Sequence, residues 1–156
     1  MNDSTDGECR LTPDRCMVLE CADKNETLNK LIDSLVAFSG SEDRNILAEA
    51  VFVREKLQST GFGLGIAIPH VRLATATADL TAAAALIRNG VPDYSSVDSR
   101  LVHLVVMVVA RADRHELYLR VLSKLSTSLK DEAFRNQVFN ATSGEELYRL
   151  LSEKLN

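Results

Sequence analysis

Gly61-Phe62-Gly63-Leu64-Gly65-Ile66-Ala67-Ile68-Pro69-His70-Val71-Arg72 sets alternate glycines ahead of a short apolar strand that stops on a proline and presents a histidine. Proline has no N–H to give to a sheet ladder and fixes its own φ, so Pro69 is expected to end the strand and restrict the backbone entering His70. His70 would then stand at a sheet edge or crevice, where ligands of α/β proteins meet the strands. A strand end that delivers one imidazole is a candidate reaction centre. The competing reading of these residues alone is a strand and a turn, with His70 as an ordinary half-exposed surface residue. The glycines fit neither the G-x-G-x-x-G turn of a dinucleotide site nor a P-loop, so no nucleotide cofactor is implied. They are expected to let backbone approach closely.

Outward from this stretch, strands and helices alternate. Residues 1–12 read as a polar, flexible leader and 13–156 as one domain. Cys16 to Glu20 reads as a strand. Asp23 with Glu26 has the form of a capping box for a helix whose Leu28, Leu31, Ile32, Leu35 and Val36 recur at helical spacing until Ser39-Gly40. Ser41 is placed to cap a second helix, with Ile46, Leu47, Ala50, Val51 and Leu57 on its apolar face, and this helix carries Arg54. Asp79 to Ile87 and Leu101 to Ala110 read as strands apolar on both faces, hence covered by helices on each side. Asn89-Gly90 and Val91-Pro92-Asp93 read as turns. A helix from Asp113 shows Leu117, Val121, Leu122 and Leu125 in one stripe, and a shorter one covers Glu132 to Phe139. Ser143 and Glu146 frame a capping box for a last helix with Leu147, Leu150, Leu151 and Leu155. The fold class is an α/β sandwich.

The chain has 156 residues, 46% hydrophobic and 26% charged, which suits a globular protein able to bury roughly two-thirds of the surface its unfolded form exposes. The longest apolar run, Leu101 to Ala110, is too short to span a bilayer, and the N-terminus lacks a signal pattern, so a cytoplasmic protein is expected. A net charge of −4 argues against nucleic acid as a partner. Cys9, Cys16 and Cys21 match neither a zinc spacing nor a disulfide framework, so reduced thiols and no metal are expected.

Arg54-Glu55-Lys56, Ser59-Thr60-Gly61 and Gly65-Ile66-Ala67-Ile68-Pro69-His70, in this order, resemble the type 2 enzyme IIA (EIIA) domains of the bacterial phosphoenolpyruvate-dependent phosphotransferase system (PTS), the fructose, mannitol and nitrogen-regulatory class. The spacing of Arg54 and His70, sixteen positions (70 − 54), is also similar, as are Asp98 followed by Val102 and the closing Ser143-Gly144-Glu145-Glu146-Leu147-Tyr148. The likeness runs from about Met17 to the C-terminus. It implies a mixed sheet with helices on both faces, and His70 as the phosphoryl acceptor. A neutral imidazole nitrogen attacks phosphorus readily near neutral pH and leaves readily afterwards, which suits a relay. Charge on the equatorial oxygens needs donors around His70. Arg54 takes the place of the family's active-site arginine, and a guanidinium can hold two oxygens without a metal ion. Arg72, Ser59 and Thr60 are further donors in reach of the motif.

The family carries a second histidine beside the first, at the start of a helix and followed at once by leucine. Here Tyr118-Leu119-Arg120-Val121-Leu122 fills that frame, so Tyr118 takes the position and His115 falls about one turn upstream, in the turn before the helix. A tyrosine hydroxyl donates a hydrogen bond but cannot share a proton as a second imidazole does. His103, in the apolar strand on the side of Leu101, Val105 and Met107, reads as a hydrogen-bonded core histidine.

The resemblance implies a PTS phosphoryl carrier that takes phosphate on His70 from a histidine-containing phosphocarrier protein. It would then pass the group to a IIB cysteine or act as a nitrogen-type regulatory switch; a chain without attached IIB or IIC domains leans to the latter. The alternative is a protein-binding module of the same fold that has lost the relay, which Tyr118 favours and intact His70 and Arg54 oppose.

Overall fold

In a computed structural model of the chain, residues 11–39 and 43–155 are described. Residues 1–10 of the expected leader, Cys9 among them, and the expected cap Ser41 lie outside the described residues. Leu11 and Thr12 lie inside, and Leu11 is buried in the core.

A turn of 3-10 helix over Pro13–Arg15 leads into β1 (Cys16–Leu19), α1 (Lys24–Ser39) and α2 (Arg44–Leu57). Next come three short strands, β2 (Gly61–Gly63), β3 (Ile66–Ala67) and β4 (His70–Leu73), then two long ones, β5 (Leu80–Val91) and β6 (Val102–Arg111). Helices α3 (His115–Lys130), α4 (Glu132–Phe139) and α5 (Gly144–Leu155) close the described chain. The strands form one mixed sheet in the order β1-β5-β6-β3-β2, with β4 also on β6. β1 runs parallel to β5, β5 antiparallel to β6, and both β3 and β4 parallel to β6.

The strands are apolar on both sides because both sides are covered. Leu28, Leu31, Ile32, Leu47 and Val51 of α1 and α2 pack with Ala83, Ala85, Val105 and Met107 on one face. Leu117, Val121, Leu125, Phe134, Val138 and Leu151 of α3 to α5 pack with Ala82, Ala84, Val106 and Val108 on the other. The alanine run in β5 leaves room for helices to sit close on either side. This three-layer arrangement is the expected α/β sandwich.

Three local readings are corrected, and the expected strand end is refined: β3 stops at Ala67, just before Pro69. The Pro69 carbonyl still accepts from the Val108 N–H at 2.9 Å, but Pro69 has no donor of its own, so the ladder along β6 is interrupted and then resumes with His70 opposite Val108. His70 therefore follows one strand and opens the next. Asn89-Gly90 is no hairpin turn: β5 runs on to Val91 with a shift of register between Leu86 and Val91, and Gly90 supplies the φ of +79° that this irregularity needs. α2 starts at Arg44 and is capped by Asp43, whose carboxylate accepts from the N–H groups of Asn45 and Ile46. His103 also changes sides. The Gly65 carbonyl accepts from both His103 N–H (2.8 Å) and Leu104 N–H (3.1 Å), so two residues oppose one as in a bulge. Val102 and Leu104 consequently serve opposite faces, and the half-buried His103 ring lies 6.2 Å from Phe139, with Nδ1 on the Ile87 carbonyl at 3.1 Å.

Candidate functional site

His70 sits at the free edge of β4. Val71 and Leu73 point to the α1/α2 core, so period-two alternation turns His70 and Arg72 to the α3 face. There the His70 ring meets Tyr118, with centroids 5.8 Å apart and planes inclined by 52°. Tyr118 is buried, in the first turns of α3, and the Arg72 guanidinium lies 5.6 Å from its ring centroid. Burial pushes the Tyr118 phenol up, against the smaller pull of Arg72 and Arg54, so it stands as a neutral donor.

Nδ1 of His70 lies 2.6 Å from the Ile68 carbonyl oxygen. A carbonyl can only accept, so Nδ1 carries the hydrogen in this contact, and in the neutral ring the lone pair is on Nε2. The imidazole is thus held by one nitrogen and offers the other.

A cleft of about 370 Å³ opens in front of it, lined by Arg54, Thr60, Phe62, His70, Val97 and Leu122 among others. Arg54 reaches it from the last turn of α2, where its Nη1 donates to the Gln58 carbonyl at 2.7 Å. The structure therefore brings Arg54, His70, Arg72 and Tyr118 together from α2, β4 and α3. His115 is the exposed first residue of α3, in the helix and not in the turn before it. Ser59 and Thr60 reach the cleft wall, but their hydroxyls are engaged: Ser59 Oγ donates to the Ser95 carbonyl at 2.6 Å, and Thr60 Oγ1 donates to the Glu55 carboxylate.

Buried Glu55 and Tyr94 form a cluster with half-buried Lys24 that the sequence did not single out. Glu55 accepts from Thr60 N–H (3.3 Å), Thr60 Oγ1 and Tyr94 Oη (2.9 Å), and pairs with Lys24 Nζ (3.0 Å). Burial, then the neighbouring Glu55 charge, pushes the Tyr94 phenol far up, which keeps it a donor. The local signal was limited to Glu55 beside Arg54, because Tyr94 is 39 positions away.

Among the described residues there is no group of three or more His, Cys, Asp or Glu arranged to hold a metal, and no helix long and apolar enough to cross a membrane. Cys16 is buried, and Cys21 is exposed with its Sγ accepting from Asn89 Nδ2 at 3.1 Å.

Fold and cleft define a three-layer α/β protein with one imidazole presented at a sheet edge. The family model described as "Phosphoenolpyruvate-dependent sugar phosphotransferase system, EIIA 2" matches residues 11–154. A nitrogen regulatory protein of Klebsiella oxytoca is 32% identical over 136 residues, covering 86% of this chain and 82% of that protein. The fructose-specific EIIABC component of Bacillus subtilis is 33% identical over 135 residues, but these are 86% of this chain and only 21% of that longer protein. Among solved structures, the nitrogen regulatory protein IIA-Ntr of Neisseria meningitidis superposes with a TM-score of 0.81 at 28% identity, covering 90% of this chain and 94% of the other. The chain belongs to the EIIA type 2 family of the phosphoenolpyruvate-dependent sugar phosphotransferase system. Its role is that of the family, phosphoryl carriage or nitrogen-type regulation.

Proposed function

We propose that Nε2 of His70 is the phosphoryl acceptor of this chain, with a phosphohistidine of a histidine-containing phosphocarrier protein as donor and the cytoplasm as the place of reaction. The observation that carries this is the Nδ1 contact with Ile68, which leaves the Nε2 lone pair free. That lone pair attacks phosphorus in line as the donor's N–P bond breaks and its electron pair returns to the donor nitrogen. His70 keeps its Nδ1 hydrogen against Ile68 throughout, so no proton needs to move. The Arg54 guanidinium exchanges its bond to Gln58 for two phosphoryl oxygens, and Arg72 leaves its place over the Tyr118 ring to add a second positive charge. Tyr118 supplies a hydroxyl where a second imidazole is expected. Thr60 acts through the cleft wall and not as a direct donor.

The phosphoryl group then passes to a IIB cysteine or remains as a switch, adding nearly two negative charges to the patch around His70. A second reading, a protein-binding module without relay chemistry, is favoured by Tyr118 alone. The two separate in one experiment: intact mass after incubation with phosphoenolpyruvate, enzyme I and the phosphocarrier protein. A single acid-labile phosphoryl adduct, lost in His70→Ala, is expected. A folded protein that takes up no phosphoryl group from several such donors would sink the relay and leave the binding module.

A further inference from the structure

We infer that Glu55 is a positioning residue for His70: its buried carboxylate fixes Thr60, and through Thr60 and Ile68 it holds the imidazole in the tautomer that exposes Nε2. The inference rests on the proposed role of His70 as acceptor.

The Glu55 side chain is only 4% exposed. A carboxylate taken out of water is costly unless it is paired and hydrogen-bonded, and replacing a buried ion pair with well-packed apolar residues often leaves stability unchanged or improved. Core packing by itself gives no reason for a charge here. What the charge does is visible in its partners. It accepts from both the N–H and the hydroxyl of Thr60, the residue that precedes β2. The Thr60 carbonyl accepts from the Ile68 N–H at 3.1 Å, and the Ile68 carbonyl receives Nδ1 of His70 at 2.6 Å. Ile68 precedes Pro69, which has no N–H to help pin this stretch to the sheet. The Ile68 N–H bond to Thr60, with the Val108 N–H donated to the Pro69 carbonyl at 2.9 Å, sets the height of the Ile68 carbonyl, and with it the His70 ring.

The same carboxylate steadies the opposite wall of the cleft. Glu55 and Arg54 are adjacent in the last turn of α2, so fixing one limits the other. Lys24 and Tyr94 keep the carboxylate in place from the far side. Lys24 Nζ lies 3.0 Å from Glu55 Oε2 and 4.4 Å from the Tyr94 ring centroid, and the Lys24 N–H donates to Asp93 Oδ1 at 2.8 Å. One carboxylate thus ties the start of α1, the end of α2, the approach to β2 and the loop after β5 into the frame behind His70.

Glu55→Gln keeps the size of the side chain but turns one acceptor oxygen into a donor that faces donors. In 15N spectra of the histidine ring, the wild type should show His70 as a single Nδ1–H tautomer. Glu55→Gln should move both ring nitrogens toward exchange-averaged values and slow phosphoryl uptake roughly tenfold or more in kcat, with KM for the phosphocarrier protein little changed, since a displacement of about 1 Å can cost on the order of a hundredfold. Thr60→Val should act in the same direction and Thr60→Ser should restore wild-type behaviour, which keeps the test open if Glu55→Gln does not fold. Wild-type ring shifts and wild-type kcat in folded Glu55→Gln and Thr60→Val proteins would overturn the inference, as would a loss confined to melting temperature. A wild type that takes up no phosphoryl group would sink the acceptor role by itself, while the ring spectra would still decide the positioning.

Discussion

Tyr118 decides how this centre differs from one with two imidazoles. Its ring is 5.8 Å from that of His70, so on the proposed function a phenol takes the place of a second, proton-sharing imidazole. Burial raises the phenol, and its proton therefore stays on through the physiological range. Such a group can donate to a phosphoryl oxygen but takes no proton in exchange. A hydrogen bond to a charged group contributes about 1.5–3 kcal/mol, and each 1.4 kcal/mol is a factor of ten in an equilibrium. Tyr118→Phe removes only the hydroxyl, and the equilibrium constant for phosphoryl transfer from the phosphocarrier protein should fall by roughly tenfold, with a shorter phosphohistidine lifetime. An unchanged equilibrium constant and lifetime, measured by intact mass over time, would assign Tyr118 to packing alone. Tyr118 would then act through its ring alone, which packs against His70 and Arg72.

At the scale of elements, the glycines before His70 do unequal work. A Cβ on Gly61 would lie 2.1 Å from the Ser95 carbonyl oxygen, a backbone atom that cannot swing aside. Val97, which lines the cleft, hangs from the same contact, because its N–H donates to the Gly61 carbonyl at 3.2 Å. Gly61→Ala must push this loop outward, and overpacking of this kind costs about 1–3 kcal/mol. For a chain of this size that lowers the melting temperature by roughly 2–4 °C per kcal/mol. A thermal melt followed by circular dichroism checks it; a melt within a degree of wild type would show that the loop yields freely. The helices were legible because each buries one face, so Leu117, Val121 and Leu125 recur at the spacing of turns. The His70 motif was legible because proline and histidine are adjacent in the chain. Irregular strand edges were not: whether Pro69 ends a ladder or Gly90 makes a turn depends on what lies opposite, and Val108 and Leu101 are far away in sequence. The Glu55 cluster escaped for the same reason, since Lys24, Glu55, Thr60 and Tyr94 converge only in three dimensions.

Over the whole molecule, several exposed carboxylates hold loops to the frame and make stability depend on pH in a definite sense. Asp98 is held below the usual carboxylate range, first by the Leu64 N–H at 2.8 Å and then by the Arg100 N–H at 3.0 Å. This ties the loop before β6 to the turn between β2 and β3, where Leu64 itself has a φ of +61°. Glu146 is lowered by the N–H and the hydroxyl of Thr142, at 3.0 and 2.8 Å, across the start of α5. Asp113 is lowered by Arg111 Nε at 2.7 Å, before α3. In each case the folded value lies below the unfolded one. The stabilisation is therefore fully present above the unfolded value, near pH 4, and is lost as pH falls through the folded value. The urea midpoint should be level in these contributions above about pH 5 and fall steadily in more acid solution. Asp98→Asn and Glu146→Gln should flatten that fall. Salt separates the causes, because Asp98 and Glu146 are held mainly by uncharged donors and Asp113 by a guanidinium. Raising ionic strength should screen the Asp113 contribution and leave the other two largely in place. An acid limb that Asp98→Asn and Glu146→Gln leave unchanged would show that these loop ties break before the cooperative unfolding of the sheet and its helices.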